Sequence, residues 1–526
     1  MTPSETGVLE SPGTSEDLFT LFSDSDLRQM NELGIPPAEA ARQIELFRNP
    51  PSPTRVLRPC TQGDGIRVIF ESDQPRLLDL WQEAARQGRI GKLVPASGAA
   101  SRMFKALLED LSADAPERPA EPSADVRTFI ENLPRFAFFA DLPEEAVRKA
   151  QEGDRAAVLE ALLTDRGLGY ANLPKGLLKF HRDASGETRT PFEEHLVEAV
   201  EVVRDAEGRC RLHFTVSPDD EAGFRRLLAE VGPRYEERYG VRFDVTFSHQ
   251  SRATDTLAVD LENRPFRLED GTLLFRPGGH GALIDNLQAL AGMGGDVILL
   301  KNIDNVVPDN RKETGLLWKK LLAGALIALQ SKIFGYLERL EDGASVTPEL
   351  LEEVEKFMTD ALVRPVPAEM ALKAEDLRQY FLRVLDRPLR VCGVVRNLGE
   401  PGGGPFWVET LDGDVSLQIV ETSQIDPHDG EQQRLLREST HFNPTDLACA
   451  LRDRHGRPYD LQRYIDPSTV FISRKSHEGR PLKALERPGL WNGAMAAWNT
   501  VFIEMPDATF APVKSVLDLL RPEHQG

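Results

Sequence analysis

The 526-residue chain is 40% hydrophobic and 28% charged, and its 84 acidic against 63 basic residues give a net charge of −21. That length allows two to four domains around a large core, and the acidic balance argues against a general binder of nucleic acid or of membrane surfaces. The four cysteines, Cys60, Cys210, Cys392 and Cys449, are scattered and form no CxxC, so neither a zinc site nor a disulfide framework is indicated. Residues 1–20 lack the basic-then-apolar pattern of a signal peptide and no run approaches a membrane span. The reading is a soluble cytoplasmic protein, with the oligomeric state left open.

In chain order, residues 1 to about 14 are polar and read as disordered. Ser15 to about Phe47 reads as helices, Asn49-Pro-Pro-Ser-Pro53 breaks them, and a helix near 74–87 follows. Leu93 and Val94 then end a strand at a loop of small residues, Ala96 to Ser101. An amphipathic helix follows, with Met103, Phe104, Leu107, Leu108 and Leu111 on one face. Small side chains let a ligand approach the backbone, and a helix start offers free N–H groups and a positive dipole end. Arg102 adds a guanidinium that can fork onto phosphate oxygens.

Residues 113–125 form a Pro-rich charged loop, and 110–168 reads as a helical insertion positioned to cover the site. Thr190-Pro-Phe-Glu193 is a capping box with Pro at the first helical position. A strand at 212–216, a turn at Ser217-Pro-Asp-Asp220, a helix to about Val231 and an alternating strand at 241–247 follow. Arg276-Pro-Gly-Gly-His-Gly281 is a second glycine loop before a helix. Val297 to Leu300 is a buried strand ending in Lys301-Asn-Ile-Asp-Asn305. Residues 311 to about 386 read as a second helical insertion. Strands return near 390–396, 406–409 and 415–421, with 402–404 as a glycine loop. Strands alternating with helices predict an α/β fold with a mainly parallel, Rossmann-like sheet and sites at the carboxyl ends of its strands. The organisation expected is an N-terminal helical segment (1–88), an α/β core (89–310) carrying the insertion 110–168, a helical insertion (311–387) and a C-terminal part of the core (388–526).

No GxxxxGK[ST], HExxH or CxxC is present, and Gly292-Met-Gly-Gly295 is not a dinucleotide fingerprint. What remains is glycine loops at strand ends, several lysines and an Asp after a buried strand, parts that suit phosphoryl or nucleotidyl transfer. Ala96-Ser-Gly-Ala-Ala-Ser-Arg-Met103 resembles the signature loop of sugar nucleotidyltransferases, A-G-G-x-G-T-R-L, with Ser97 and Ala100 in place of glycines. Further blocks resemble the UDP-sugar pyrophosphorylase branch in the expected order. Pro174-Lys175-Gly-Leu-Leu178 with Thr190-Pro-Phe-Glu-Glu-His195 resembles P-K-x-L-L … P-L-I-E-H. Phe247-Ser-His-Gln250 resembles F-x-Q, Pro277-Gly-Gly-His-Gly281 resembles P-x-G-H-G, and Asn302-Ile-Asp-Asn305 resembles N-x-D-N. Gln418-Ile-Val-Glu421 resembles V-V-E, and Phe510-Ala-Pro-Val-Lys514 resembles F-x-P-V-K. Trp491-Asn492-Gly-Ala-Met495 is similar to the W-N-S-G-M segment of mannose-1-phosphate guanylyltransferases. The chain as a whole is also similar to an uncharacterised bacterial family that carries only a domain-of-unknown-function label.

The resemblance implies a nucleotide-diphospho-sugar transferase-type fold and a nucleotidyltransferase that joins a nucleoside triphosphate to a sugar-1-phosphate and releases pyrophosphate, with uracil the first choice of base. It implies that Ser97, Gly98, Ala99, Ala100, Ser101 and Arg102 hold the β- and γ-phosphates. Lys175 and Lys514 would bind the α-phosphate and the sugar phosphate, with Lys105 competing for the role of Lys175. Asp304 would hold Mg²⁺, with Asp446 and Glu504 as guesses for a second acid. Gln250, Gly278, Gly279, His280 and Gly281 would meet the base, and Glu421, Asn443 and Asn492 the sugar. Two alternatives stand beside it: a sugar-nucleotide-binding protein without catalysis, because side chains at Ser97 and Ala100 would crowd the phosphates, and a glycosyltransferase on the related fold.

Overall fold

The computed structural model describes residues 21–112, 121–183, 185–292, 295–343, 346–366, 374–399, 402–409 and 413–526. The expected disorder of residues 1–14 and the loop at 113–120 lie outside the described residues. The strands that position the site are β1 (Gly65–Arg67), β2 (Ile90–Pro95), β3 (Arg209–Thr215), β4 (Arg242–Ser248), β5 (Val297–Lys301), β6 (Leu389–Arg396), β7 (Gly403–Glu409), β8 (Val415–Glu421), β9 (Asp446–Ala450) and β10 (Asn499–Glu504). The helices are α1 (Gln74–Arg86), α2 (Lys105–Ser112), α3 (Pro191–Val202), α4 (Glu221–Tyr239), α5 (Leu283–Gly292) and α6 (Lys312–Glu341).

Val297 to Leu300 carries no polar alternation because β5 is buried on both faces, near the middle of a ten-stranded sheet. The order across the sheet is β1-β10-β6-β9-β5-β2-β3-β4. All these strands run parallel except β9, which is antiparallel to both β5 and β6. The chain lays down β2, places β3 and β4 to one side of it, and returns to set β5 on the other. The segments that follow β2 and β5 therefore meet at the carboxyl ends of the strands, where the Ile303 N–H donates to the Pro95 carbonyl at 3.3 Å, at a topological switch point, the place where α/β sheets form a ligand crevice.

One face of the sheet packs Val94, Leu299 and Val391 against α1, α3, α4 and α6. The other packs Leu93, Leu300 and Cys392 against α5, the β7–β8 hairpin and the segment that carries Met495 and Trp498. A third core joins Phe129, Phe136 and Phe138 to Phe104 of the β2–α2 connection and to Val513 and Val516 near the C-terminus. The helices between 124 and 163 are thus anchored alongside α2. The α/β class, with a mainly parallel sheet and helices on both faces, is the one expected from the alternation of strands and helices.

Local signals explain most boundaries. At α3 the Thr190 hydroxyl accepts the Glu193 N–H at 3.3 Å, and the Glu193 carboxylate accepts the Thr190 N–H at 2.8 Å. Helix α4 runs past the expected end at Val231 to Tyr239, where Gly240 caps it in the left-handed conformation (φ 61°). Pro233 lies inside it on the exposed side, so the carbonyl it leaves unpaired meets water while Val231 and Tyr235 hold the turn on the core. Gly403 and Gly404 open β7 instead of forming a loop, because Gly403 pairs with Glu421 of β8. The segment 309–341 is long and apolar enough to cross a membrane, contrary to the sequence reading, but 67% of its most apolar window is buried inside the fold.

Helix α6 passes α1 at Gly324, where a Cβ would come 2.0 Å from the Leu77 carbonyl oxygen. Gly324→Ala is therefore expected to destabilise the fold by about 1–3 kcal/mol through overpacking, read as a lower urea midpoint. An unchanged midpoint would show that the two helices part easily.

Candidate functional site

The crevice begins at the loop after β2. The N–H groups of Ser97, Gly98 and Ala99 meet no acceptor among the described residues, and a Cβ on Gly98 would touch nothing within 4 Å. Ala100 turns the other way: it is buried in the third core, and its N–H donates to the Leu173 carbonyl. Its side chain therefore does not occupy the crevice, and Ser97 is half-buried. Ser101 and Arg102 are exposed in a 3₁₀ turn, and Arg102 makes no ion pair among the described residues. The loop is held by the strand-like segment at 173–175, where the Lys175 N–H donates to the Gly98 carbonyl at 3.3 Å.

That contact carries Lys175 into the crevice. Its ammonium donates to Asp304 Oδ2 and to the Val513 carbonyl, each at 2.7 Å. Lys105 instead points to solvent beside Glu109. Asp304 lies just beyond β5, its backbone carbonyl accepting the Val513 N–H at 3.1 Å, while Asn305 Oδ1 accepts the Ala511 N–H at 3.0 Å. Among the described residues Asp304 Oδ1 accepts no hydrogen bond, so the carboxylate has one oxygen to offer a cation. No three His, Cys, Asp or Glu side chains converge on one point among the described residues. A hard divalent ion would take Asp304 as its one protein carboxylate and complete its shell with water and phosphate oxygens, as Mg²⁺ commonly does. The two acids guessed as partners are engaged elsewhere: Asp446 binds Lys319 through both oxygens, and Glu504 faces His441 and Gln62.

The segment 511–518 runs along the crevice and links its two ends. Val516 N–H donates to the Met103 carbonyl, and the Lys514 ammonium lies 5.8 Å from the centroid of the Phe442 ring. The next residue, Asn443, donates its N–H to the Gly403 carbonyl, and Gly403 pairs with Glu421. Glu421 Oε1 is 3.6 Å from His280 Nε2. His280 Nδ1 accepts the Leu490 N–H, which puts the ring proton on Nε2, facing the carboxylate. Burial pushes the Glu421 carboxyl up, but donors from His280, Asn492 and Trp491 outweigh it and hold the carboxyl below its usual range. The Asn492 amide donates to Gln424 Oε1 at 3.1 Å. Asn492 Oδ1 and Asn443 Nδ2 are buried without a partner. Buried amide atoms without a partner are uncommon in folded proteins.

Trp491, which sequence reasoning takes as core, stacks on His280 with ring centroids 4.2 Å apart and planes at 20°. In the glycine loop, Gly279 has φ 75°. Gly278 and Gly281 are glycines for packing: a Cβ would meet the Thr254 carbonyl at 2.6 Å and the Pro488 carbonyl at 2.2 Å. Gln250 is half-buried just beyond β4, next to Ser248 and the His249 carbonyl, both of which take the Asn286 amide.

Sequence reasoning missed the layer beneath the crevice. Lys92 of β2 and Lys301 of β5 reach the two oxygens of Glu198 at 2.6 and 2.9 Å, and Lys319 of α6 pairs with Asp446 and lies 3.8 Å from Glu198. All five side chains are buried. Burial, with Lys319 and Lys301 nearby, pulls the Lys92 ammonium down to about 7 against the pull of Glu198. Glu198 stays far below its usual range despite burial because three lysines face it. Burial, reinforced by Lys92, holds His195 far below the normal imidazole range; neutral, it donates from Nε2 to the Ile303 carbonyl at 3.3 Å. The available signal was a lysine inside an apolar strand, Gly91-Lys92-Leu93, and glutamates four apart on α3.

The model of a family described as a domain of unknown function, DUF4301, matches residues 23–525. No curated protein matches the chain. Among solved structures it is similar to a mutant UDP-glucose pyrophosphorylase from Leishmania major, at 13% identity over 94% of this chain and 77% of that one with a TM-score of 0.46. It is also similar to the same enzyme in a study of open and closed forms (13%, 97% and 79%, TM-score 0.45) and to a UDP-glucose phosphorylase from Trypanosoma brucei (14%, 94% and 77%, TM-score 0.42). Likeness at that level carries nothing about chemistry.

The lysine layer predicts a pH dependence. The folded-state pKa of Lys92 lies below that of the unfolded chain, so between about pH 7 and 10 the unfolded state binds the extra proton and Lys92 contributes stability that rises with pH. Lys92→Met should remove that rise in urea unfolding between pH 7 and 9 while the protein stays folded. An identical slope in both proteins would mean that Lys92 titrates normally.

Proposed function

The chain belongs to the DUF4301 family, a domain of unknown function, and from its crevice we propose that it is a Mg²⁺-dependent sugar-1-phosphate nucleotidyltransferase acting on a nucleoside triphosphate. The observation that carries this reading is the run of groups that the segment 511–518 links beyond β2 and β5. Free N–H groups and Arg102 stand at one end, Lys175 and Asp304 at the middle, and Glu421, Asn443 and Asn492 at the other. A nucleoside triphosphate meeting a sugar phosphate needs that order: donors for the leaving pyrophosphate, cations at the α-phosphorus, and hydroxyl readers beyond it.

In this reading the 97–102 loop and Arg102 bind the β- and γ-phosphates. Lys175, fixed by the Val513 carbonyl, lies against the α-phosphate, and Lys514 neutralises the incoming sugar phosphate. That phosphate is already anionic, so its oxygen attacks in line without a general base, the α–β phosphoanhydride bond breaks, and pyrophosphate leaves. Mg²⁺ on Asp304 would neutralise charge on the phosphate oxygens. Gln250 and the 278–281 loop bound the base, uracil being the first choice on the motif resemblance.

The placement of Ala100 favours catalysis over a binding-only role, because one of the two side chains expected to crowd the phosphates lies in the core, leaving Ser97 alone on the loop. The test is pyrophosphate release with Mg²⁺, each nucleoside triphosphate and a panel of sugar-1-phosphates. One pair is expected to react, with Asp304→Asn and Arg102→Ala each lowering the rate at least about a hundredfold, the size expected for losing an electrostatic contact in the transition state. Wild-type rates in both variants would remove the crevice from the chemistry, and silence across the panel with thermal stabilisation by a UDP-sugar would favour the binding protein.

A further inference from the structure

At the opposite edge of the sheet lies a cavity of about 240 Å³ between the end of β1, the start of α1 and the middle of α6. Its floor is apolar, formed by Leu77, Leu329, Phe357 and Ile503, and hollowed where Ala325 and Ala328 stand one turn apart on α6. Its rim is cationic. Arg67, Arg76 and Lys332 line it, and none has a carboxylate within ion-pair distance among the described residues. The Arg67 guanidinium donates to the Ala361 carbonyl at 2.9 Å, and Lys332 lies over the Phe357 ring at 5.9 Å. Asp73 is the single acid in the lining. Val68, in the lining, is 41% exposed, one of the four large hydrophobics left exposed among the described residues.

In a chain with a net charge of −21, three cations against one acid around a single apolar cavity make a local patch of positive charge. An apolar floor gives a bare inorganic anion nothing to bury, and a cationic rim gives a neutral hydrocarbon nothing to pair with. We propose that this groove binds a small amphipathic anion, a single carboxylate or phosphate head on an acyl or aryl body, with the head between Arg67, Arg76 and Lys332 and the body on the alanine-hollowed face of α6. Carboxylate and phosphate heads share the chemistry that the rim reads. Five strand spacings separate β1 from β2, about 24 Å by sheet geometry, so the groove is separate from the crevice and the proposal does not rest on the nucleotidyltransferase reading.

The test is isothermal titration of the full chain with decanoate and with decyl phosphate, against decyltrimethylammonium and inorganic phosphate. Saturable one-to-one binding of at least one anionic amphiphile is expected. It should weaken tenfold or more in Arg76→Gln/Lys332→Gln, which removes exposed charge, and in Ala328→Trp, which fills the groove from its half-buried floor, each variant being shown folded by its thermal melt. The proposal is overturned by no saturable binding of either anion, by equal binding of the cationic amphiphile, by inorganic phosphate binding as tightly as decyl phosphate, or by unchanged affinity in both folded variants.

Discussion

Five buried charges, Lys92, Lys301, Lys319, Glu198 and Asp446, fix the middle of this protein. They come from β2, β5, α6, α3 and β9, so one cluster ties three neighbouring strands to the two helices that cover them. Taking such charges from water is costly, and each is tolerated only because the others remain in place. The three lysines outnumber the two carboxylates, and the surplus is what pulls the Lys92 ammonium down to about 7. The cluster sets where β5 stops and the 302–305 turn begins. A neutral His195 then holds that turn by the Ile303 carbonyl. The position of Asp304 thus follows from a charge balance made inside the fold.

Above this layer the crevice is built mostly from backbone. The loop after β2 is aimed by its pairing with residues 173–175, the turn after β5 by residues 511–513, and the end that holds Glu421 by its pairing with Gly403. Each support comes from a distant part of the sequence, so the chain's own closure assembles the site. The segment 511–518 is the common thread, touching the loop after β2, Asp304 and Lys175, with Lys514 beside Phe442.

What the sequence disclosed was local. The Thr190 capping box, the apolar run of β5 and the small-residue loop before α2 are set by neighbouring residues, and each appears where the pattern placed it. Arg102, Lys175, Asp304, Lys514, Glu421, Asn443 and Asn492 were chosen by motif; the fold pairs Lys175 with Asp304 and sets Lys514 beside Phe442, the neighbour of Asn443. The long-range features were not legible. Nothing near Lys92 announces that Glu198 will neutralise it, since the pairing exists only once α3 covers β2. The glycines at 278 and 281 read as openings for a ligand but are required by the carbonyls of Thr254 and Pro488. Helix α4 outran its expected end because packing of Tyr235 outweighs the break expected at Pro233.

The most direct measurement of the account is amide hydrogen exchange of the full chain with and without UTP and Mg²⁺. The account predicts slowed exchange in four separate stretches that meet only in the crevice: 96–105, 173–178, 302–306 and 511–516. Protection confined to other segments, or none at saturating nucleotide, would contradict the claim that this edge of the sheet is a triphosphate site.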